Sequence, residues 1–369
     1  MTFNVNRLLL ILLFFVTNTI AFSQQNTMVA WGSNRYRQLD IPVGLDSVVE
    51  ITSGLDHNLA LKSNGTVVAW GRNREGQCNV PEGLDSVIAI EAGYYHSLVL
   101  RNNGKVVVWG SSTMSPSVLN KPEGLDSVVA ISLRNRNCLA LRSNGEVVQW
   151  GEYLGLPLVP IPEELDSVIT FAAGTHHSVA LKKNGKVVAW GRSTLTTIPK
   201  EVDSIVAIAA GLTHTLALDV NGRLYSWGES GFNQEDIPLG VGNIRLIAAG
   251  TRRSIVLKDN GDILTWIGGG ALSVVPTCMK NVKSIAVGFE HYLALTNESF
   301  FATVDKHVVC DSLAWIDGKT YTASNDTALY TFVGGDINGC DSTVRLDLTV
   351  LNDTAVHSVE ACESYTWLN

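Results

Sequence analysis

The sequence predicts an all-β fold: a seven-bladed β-propeller, followed by a small β-sandwich-like module and a truncated copy of it. Three recurring patterns carry the prediction. Trp-Gly appears at Trp31-Gly32, Trp70-Gly71, Trp109-Gly110, Trp150-Gly151, Trp190-Gly191 and Trp227-Gly228, and Trp266 keeps the beat with Ile267 in place of the glycine. The spacings are 39, 39, 41, 40, 37 and 39 residues. A period of about 40 is the length of one four-stranded blade, a unit that cannot bury its apolar face alone and must stack on its neighbours. Asn-Gly recurs on the same period, at Asn64-Gly65, Asn103-Gly104, Asn144-Gly145, Asn184-Gly185, Asn221-Gly222 and Asn260-Gly261. A two-residue type I′ hairpin needs positive φ at both central positions, which Asn and Gly tolerate best, so the copies read as antiparallel blades. The seventh copy, Asn297-Glu298, departs from the pattern. Third, a histidine follows three residues after a glycine at His57, His96, His177, His214 and His291, with Asn137 and Arg253 in the other two copies.

Residues 1–24 come first. Arg7, the unbroken apolar run Leu8 to Val16 and the small residues of Ala21-Phe22-Ser23 follow the pattern of a secretory signal peptide. A membrane anchor needs about 20 apolar residues and this run is shorter. The chain is therefore expected to be exported, extracellular or at a cell surface, with no membrane span. A net charge of −8 and the lack of a basic run argue against nucleic acid as a partner.

Residues 25–299 are the propeller. Around Val87, short β-branched runs (Val87 to Ala92, Ser97 to Leu100, Val106 to Trp109) alternate with turn residues and read as strands. The strand before each histidine is rich in small residues, as in Ala172-Ala173-Gly174 and Ala209-Ala210-Gly211, which suits the crowded axis, so it is placed innermost. The tryptophans, Trp31, Trp70, Trp109, Trp150, Trp190, Trp227 and Trp266, are expected as core between blades. Repeated histidines on different blades point around a ring and do not converge on one metal, so they read as turn-to-strand ties. No cofactor or metal site is expected. His176, His307 and His357 fall outside this pattern, and the sequence alone suggests no partner for them. The chain opens on a Trp strand and the propeller ends on Leu293-Ala294-Leu295, so seven blades balance only if the first strand completes the last blade.

This combination of glycine, spaced histidine, Leu-Ala-Leu strand (Leu59 to Leu61, Leu139 to Leu141, Leu216 to Leu218), Asn-Gly turn and Trp-Gly resembles the regulator of chromosome condensation repeat family over about 270 residues. The resemblance implies a seven-bladed propeller. In its short, regular units the chain is similar to a secreted bacterial branch that includes an inhibitor of β-lactamases. The family's nuclear founder is a nucleotide-exchange factor for a small GTPase. An export signal, acidic charge and the absence of a long insertion set this chain apart, and no active-site residues are carried over.

From Phe301 onward the pattern changes. Residues 300–354 read as a small β-module and 355–369 as the start of a second, because Val309-Cys310-Asp311-Ser312 recurs as Ala361-Cys362-Glu363-Ser364. The module resembles the tandem units of large secreted bacterial proteins, which makes the chain a fragment of something longer. Cys310 and Cys340 are candidates for a disulfide in an oxidising compartment; Cys78, Cys138 and Cys278 form no framework. Asp336 to Asp341 has half the spacing of a calcium loop but no downstream bidentate Glu, so it reads as a turn.

No paired carboxylates, nucleophile with base, or metal ligands stand out beyond the repeat itself. The chain is expected to be a non-catalytic binding module for a protein or cell-surface glycan. A structural spacer in a surface adhesin and a secreted enzyme working at the channel mouth are the alternatives. The candidates lie in the irregular residues between glycine and histidine: Asp56, Tyr94, Tyr95, Arg136, Arg252, Arg253, Phe289 and Glu290. Tyr and Arg on rigid turns are the residue types of interface hot spots. The loops after Trp-Gly, with Asn34 to Arg37, Tyr153-Leu154 and Phe232-Asn233, are a second candidate group.

Overall fold

The computed structural model describes residues 27–42, 45–152, 156–229, 236–267, 271–272, 275–276, 279, 281–296, 301–309, 312–325, 329–332 and 342–350. The chain divides into two units, Met1–Val275 with Met279–Glu298, and Pro276–Cys278 with Ser299–Asn369.

The first unit holds seven antiparallel sheets among the described residues. Blade 1 is Val48–Ser53, His57–Lys62 and Val67–Gly71; blade 2 is Val87–Ala92, His96–Arg101 and Val106–Gly110. Blade 3 is Val128–Arg134, Asn137–Arg142 and Val147–Gly151; blade 4 is Val168–Ala173, His177–Lys182 and Val187–Gly191. Blade 5 is Ile205–Ala210, His214–Asp219 and Leu224–Gly228; blade 6 is Ile244–Ala249, Arg253–Lys258 and Ile263–Ile267. Blade 7 joins the ends: Thr27–Gly32 pairs with His291–Thr296, from Thr27 opposite Thr296 to Gly32 opposite His291, and Val282–Val287 lies on the other side.

The first strand of each blade is innermost. All seven contribute to one central cavity of about 230 Å³, walled largely by alanines such as Ala172, Ala209, Ala248 and Ala286. Each inner strand carries a β-bulge at its second residue, preceded by a Ser or Asn at positive φ, from Ser47 at 54° to Asn281 at 50°. The extra residues are Val49, Ile88, Val129, Ile169, Val206, Arg245 and Lys283.

Two local expectations change. Among the described residues, six blades have three strands where four were expected, and blade 6 adds a fourth, Ala271–Leu272. The segment after Trp-Gly is rich in Pro and Gly, which suit no ladder, and it serves as a hydrogen-bonding strap instead. Gln38 O accepts the Trp70 indole N–H at 3.1 Å, Gln77 O accepts Trp109 at 2.9 Å, and Val118 O accepts Trp150 at 3.0 Å. The Asn-Gly hairpins are also not two-residue loops. Lys62 N–H bonds Thr66 O, so three residues turn the chain, and only Gly65 takes positive φ, at 80°. Asn64 acts through its side chain, whose Oδ1 accepts the Thr66 N–H at 3.1 Å. This is the three-residue hairpin with glycine in the left-handed position.

All seven Trp-Gly-type tryptophans are buried, between 1% and 8% exposed. They fill the wedges between blades. Trp109, for example, packs with Leu59, Leu61, Val87, Ile90 and Val99 of blades 1 and 2.

In the second unit, Ser342–Val350 pairs parallel with Phe301–Val309 and antiparallel with Leu329–Phe332. A small hairpin of Leu313–Ala314 and Thr320–Tyr321 brings Trp315 onto Leu346 and Leu348. The Trp315 indole donates to Asp305 Oδ2 at 2.8 Å. His307, expected to lack a partner, lies 2.8 Å from the other oxygen of the same carboxylate. The signal segment, Cys278, Cys310, Cys340, Cys362, His357, Asn297-Glu298, the Asp336 to Asp341 stretch and the second module copy lie outside the described residues.

Candidate binding face

Antiparallel register decides which loops share a face. His57 lies opposite Gly71, His96 opposite Gly110, His177 opposite Gly191 and His214 opposite Gly228. The glycine-to-histidine turns and the residues after Trp-Gly, which the sequence left as rival sites, therefore lie at one end of every blade. We call this end the upper face. Tyr153-Leu154 and Phe232-Asn233 of the second group are outside the described residues.

Close backbone packing explains the glycines there. A Cβ on Gly151, at φ +110°, would sit 1.8 Å from Arg136 O. A Cβ on Gly211 would sit 2.4 Å from Gly250 O of the next blade and 2.5 Å from the His214 ring. In blade 3 the ring is replaced by Asn137, and there Arg134 stands where six blades have glycine.

The histidines bind the ring together. His57 Nε2 lies 3.1 Å from Ser97 Oγ, His177 Nε2 2.8 Å from Thr215 Oγ1, His214 Nε2 3.0 Å from Ser254 Oγ, and His291 Nε2 2.7 Å from Asn58 Oδ1, each on the following blade. His96 Nε2 instead meets Ser111 O at 2.7 Å, and the Asn137 amide donates to Ser178 Oγ at 2.8 Å. Burial pushes His57, His177, His214 and His291 down to about 3, so they are neutral in the folded ring.

Above this ring lies a cluster whose centre was not among the main candidates. Arg72, directly after Trp70-Gly71, stacks on Tyr36 with 5.1 Å to the ring centroid and on Tyr95 with 5.4 Å. It donates to Glu75 at 2.7 Å and lies 3.7 Å from Asp56 Oδ2. Arg35 also lies over the Tyr36 ring, 5.5 Å from its centroid. Burial raises the Asp56 carboxyl above its ordinary range; Arg72 opposes this, Glu290 adds to it and Arg35 opposes it again, so all four charges share one neighbourhood. Partial burial alone would raise Glu75, but the bonds from Arg72 and Gln77 hold it below the usual carboxylate range. The exposed Arg252 and Glu290 and the half-buried Phe289 continue the surface over blades 6 and 7.

Other candidates sit elsewhere. Tyr94 turns inward, its hydroxyl 3.4 Å from Thr251 Oγ1 on blade 6, so it braces the channel mouth instead of presenting itself for docking. Arg134, 8% exposed, crosses the same channel to donate to Ala249 O. Glu91 faces the channel lumen but is ringed by protein; burial, with Glu50 adding and Arg134 opposing, pushes its carboxyl up to about 8. Arg136 pairs with Glu152 at 3.1 Å, and Arg253 donates to Phe289 O at 3.2 Å while lying over Tyr292. The sequence did hold a signal for Arg134, the single non-glycine at its repeat position. Arg72 needed the fold to bring Tyr36 and Tyr95 beside it.

The regulator of chromosome condensation (RCC1) repeat model matches residues 48–77, 87–115, 168–195 and 205–234, which cover blades 1, 2, 4 and 5. The unmatched third blade carries Arg134 and Asn137, and the sixth carries Arg253 and Ile267, where the pattern has glycine or histidine. No curated protein matches the sequence. Among solved structures, yeast RCC1 (Prp20) bound to Kap60 is similar at 19% identity and TM-score 0.59, over 73% of this chain and 88% of that one. The ectodomain propeller of the Arabidopsis thaliana receptor kinase ACR4 is similar at 23% identity and TM-score 0.54, over 67% of this chain and 89% of that one. Human WBSCR16 follows at 16% and 0.52, over 68% and 86%. Blades 1, 2, 4 and 5 of this chain match the RCC1 repeat, and the closed seven-bladed ring has the fold of the RCC1 propellers.

Proposed function

We propose that the propeller is a non-catalytic protein-binding module that works outside the cytoplasm and docks its partner on the upper face, over blades 6, 7, 1 and 2. The observation that carries this reading is Arg72, held between Tyr36 and Tyr95 with Asp56 and Glu75 fixing its charge. Tyrosine and arginine dominate interface hot spots. Here their side chains are already ordered by one another, so little rotamer entropy remains to be lost on docking. Support for a protein partner comes from the similar yeast propeller, which was crystallised bound to Kap60. The export signal read in residues 1–24, and the ectodomain setting of the ACR4 propeller, support a place outside the cytoplasm. The ring histidines are engaged between or within blades and neutral, which favours binding over chemistry at these positions.

The test uses immobilised full-length chain as bait for cell-surface extracts, against the triple variant Arg72→Ala, Tyr95→Ala and Arg252→Ala. A partner retained by the natural chain should fall by roughly tenfold or more, about 1.4 kcal/mol, with the far-UV circular dichroism unchanged. Equal retention by the variant places the site elsewhere. Glycosidase treatment of the extract separates a protein partner, which survives it, from a glycan.

A further inference from the structure

We infer that the opposite, lower face docks a second copy of this chain. The bulge in the inner strand turns its extra residue outward at the lower end of six blades; in blade 4 Ile169 packs partly on the core of Leu181, Ile205 and Trp227. A position open to water has no need of an aliphatic side chain, yet blades 1 to 5 all carry one. Val49 is 54% exposed, Ile88 52%, Val129 53% and Val206 50%, and Ile169 is half-buried. Scattered exposed apolar residues are ordinary, but the same exposed position holding Val or Ile in blades 1, 2, 3 and 5 fits an interaction surface.

Charge selects the occupant. Three residues before each aliphatic stands an exposed carboxylate, Asp46, Asp85, Asp126, Asp166 or Asp203, whereas blades 6 and 7 carry the exposed cations Arg245 and Lys283 at the bulge itself. Lys62 and Arg101 hold Asp46 and Asp85 within their own blades, so the acidic side is carried by Asp126, Asp166 and Asp203, and the basic side by Lys283 and by Arg245, which also donates to Val282 O. An isologous pair can use this self-complementary pattern. A twofold axis lying across the disc sets the blades of one copy against those of the other in reversed order. The register that puts blade 6 over blade 5 also puts blade 7 over blade 4, blade 1 over blade 3 and blade 2 over itself. Arg245 then meets Asp203 and Lys283 meets Asp166, while Val49 meets Val129 and Ile88 meets its own copy. Asp203 has no ion-pair partner among the described residues, and the Asp166–Lys182 contact at 2.6 Å is an exposed one that can exchange. The pairing leaves the upper face of each copy free for the partner proposed above.

Sedimentation equilibrium of the full chain at tens of micromolar, across a series of NaCl concentrations, reads the result. We expect a mass twice that of one chain, with weaker association as salt rises. Ile88→Glu sets like charges against each other on the axis and should weaken association at least tenfold, with the circular dichroism unchanged. Arg245→Glu should weaken it too, and adding Asp203→Arg should restore it, a rescue that a folding defect would not give. A single-chain mass throughout, full association by the Ile88→Glu variant, or no rescue by the charge swap overturns the inference.

Discussion

Trp109 and Trp190 sit at equivalent positions, yet removing them should not cost the same. Trp109 is enclosed by Leu59, Leu61, Val87, Ile90 and Val99, and its indole bonds Gln77 O at 2.9 Å. Trp190 packs on Leu139, Leu141, Val168 and Phe171, but it also borders a cavity of about 200 Å³ lined by Leu158, Val159 and His176. Truncation to alanine removes about 140 Å³ of side chain, and at about 24 cal/mol per Å³ a void that stays empty costs about 3 kcal/mol. The lost indole bond adds about 1 kcal/mol. Gln77 O keeps the Ser97 hydroxyl at 2.8 Å, so no buried carbonyl is left bare. Trp109→Ala should therefore cost about 4 kcal/mol, inside the range for such changes. At Trp190 the new void merges with the existing cavity, where water can enter beside Asn137 and Gln149, and the cost should be about 3 kcal/mol. Equilibrium urea unfolding followed by far-UV circular dichroism measures both. An equal or larger loss at Trp190, or a loss under about 1 kcal/mol at either site, refutes the reasoning.

His57, His177, His214 and His291 are held near 3 against an ordinary 6.5. Below pH 6.5 the unfolded chain takes up protons that the fold refuses, so their contribution is full above that pH and falls as acid is added, by up to about 1.4 kcal/mol per pH unit for each. Urea midpoints at pH 7, 6 and 5 should drop in step, and His214→Asn should make the slope shallower. Glu91 works in the other direction: raised to about 8 from 4.5, it favours the fold most below pH 4.5 and loses that contribution as pH rises to 8. Glu91→Gln should flatten the stability profile between pH 6 and 8, measured the same way. Deleting residues 27–32 uncovers the edge of His291–Thr296 and should abolish cooperative unfolding of the ring; an unchanged urea midpoint would show that closure contributes nothing.

The architecture was readable because the repeat states it in six Trp-Gly pairs, six Asn-Gly pairs and five glycine-to-histidine spacings. What the residues could not show was anything that depends on two distant segments meeting. Asn-Gly implied a type I′ turn, but the pairing of Lys62 with Thr66 leaves three residues in the loop, and Asn64 then acts as an acceptor. Tyr94 and Tyr95 are adjacent in sequence and look alike. The curvature of the ring aims one at Thr251 across the channel and leaves the other over Arg72. The bulges have no composition of their own, so Val49 and Ile88 read as ordinary strand residues until the ladder shows them skipped.

Closure by the first strand has a consequence for how the chain comes into being. Thr27 is made long before its partner Thr296. Through that interval the opening strand has no ladder to join, and the flank of blade 1 that will face blade 7 stays bare. Contacts this far apart in sequence form late and slowly. The growing chain therefore carries an unpaired, adhesive strand ahead of blade 1 until the last repeat is made, which favours a holding chaperone over spontaneous assembly. Once the last repeat arrives the first and last strands lock side by side, and each covers the other's edge.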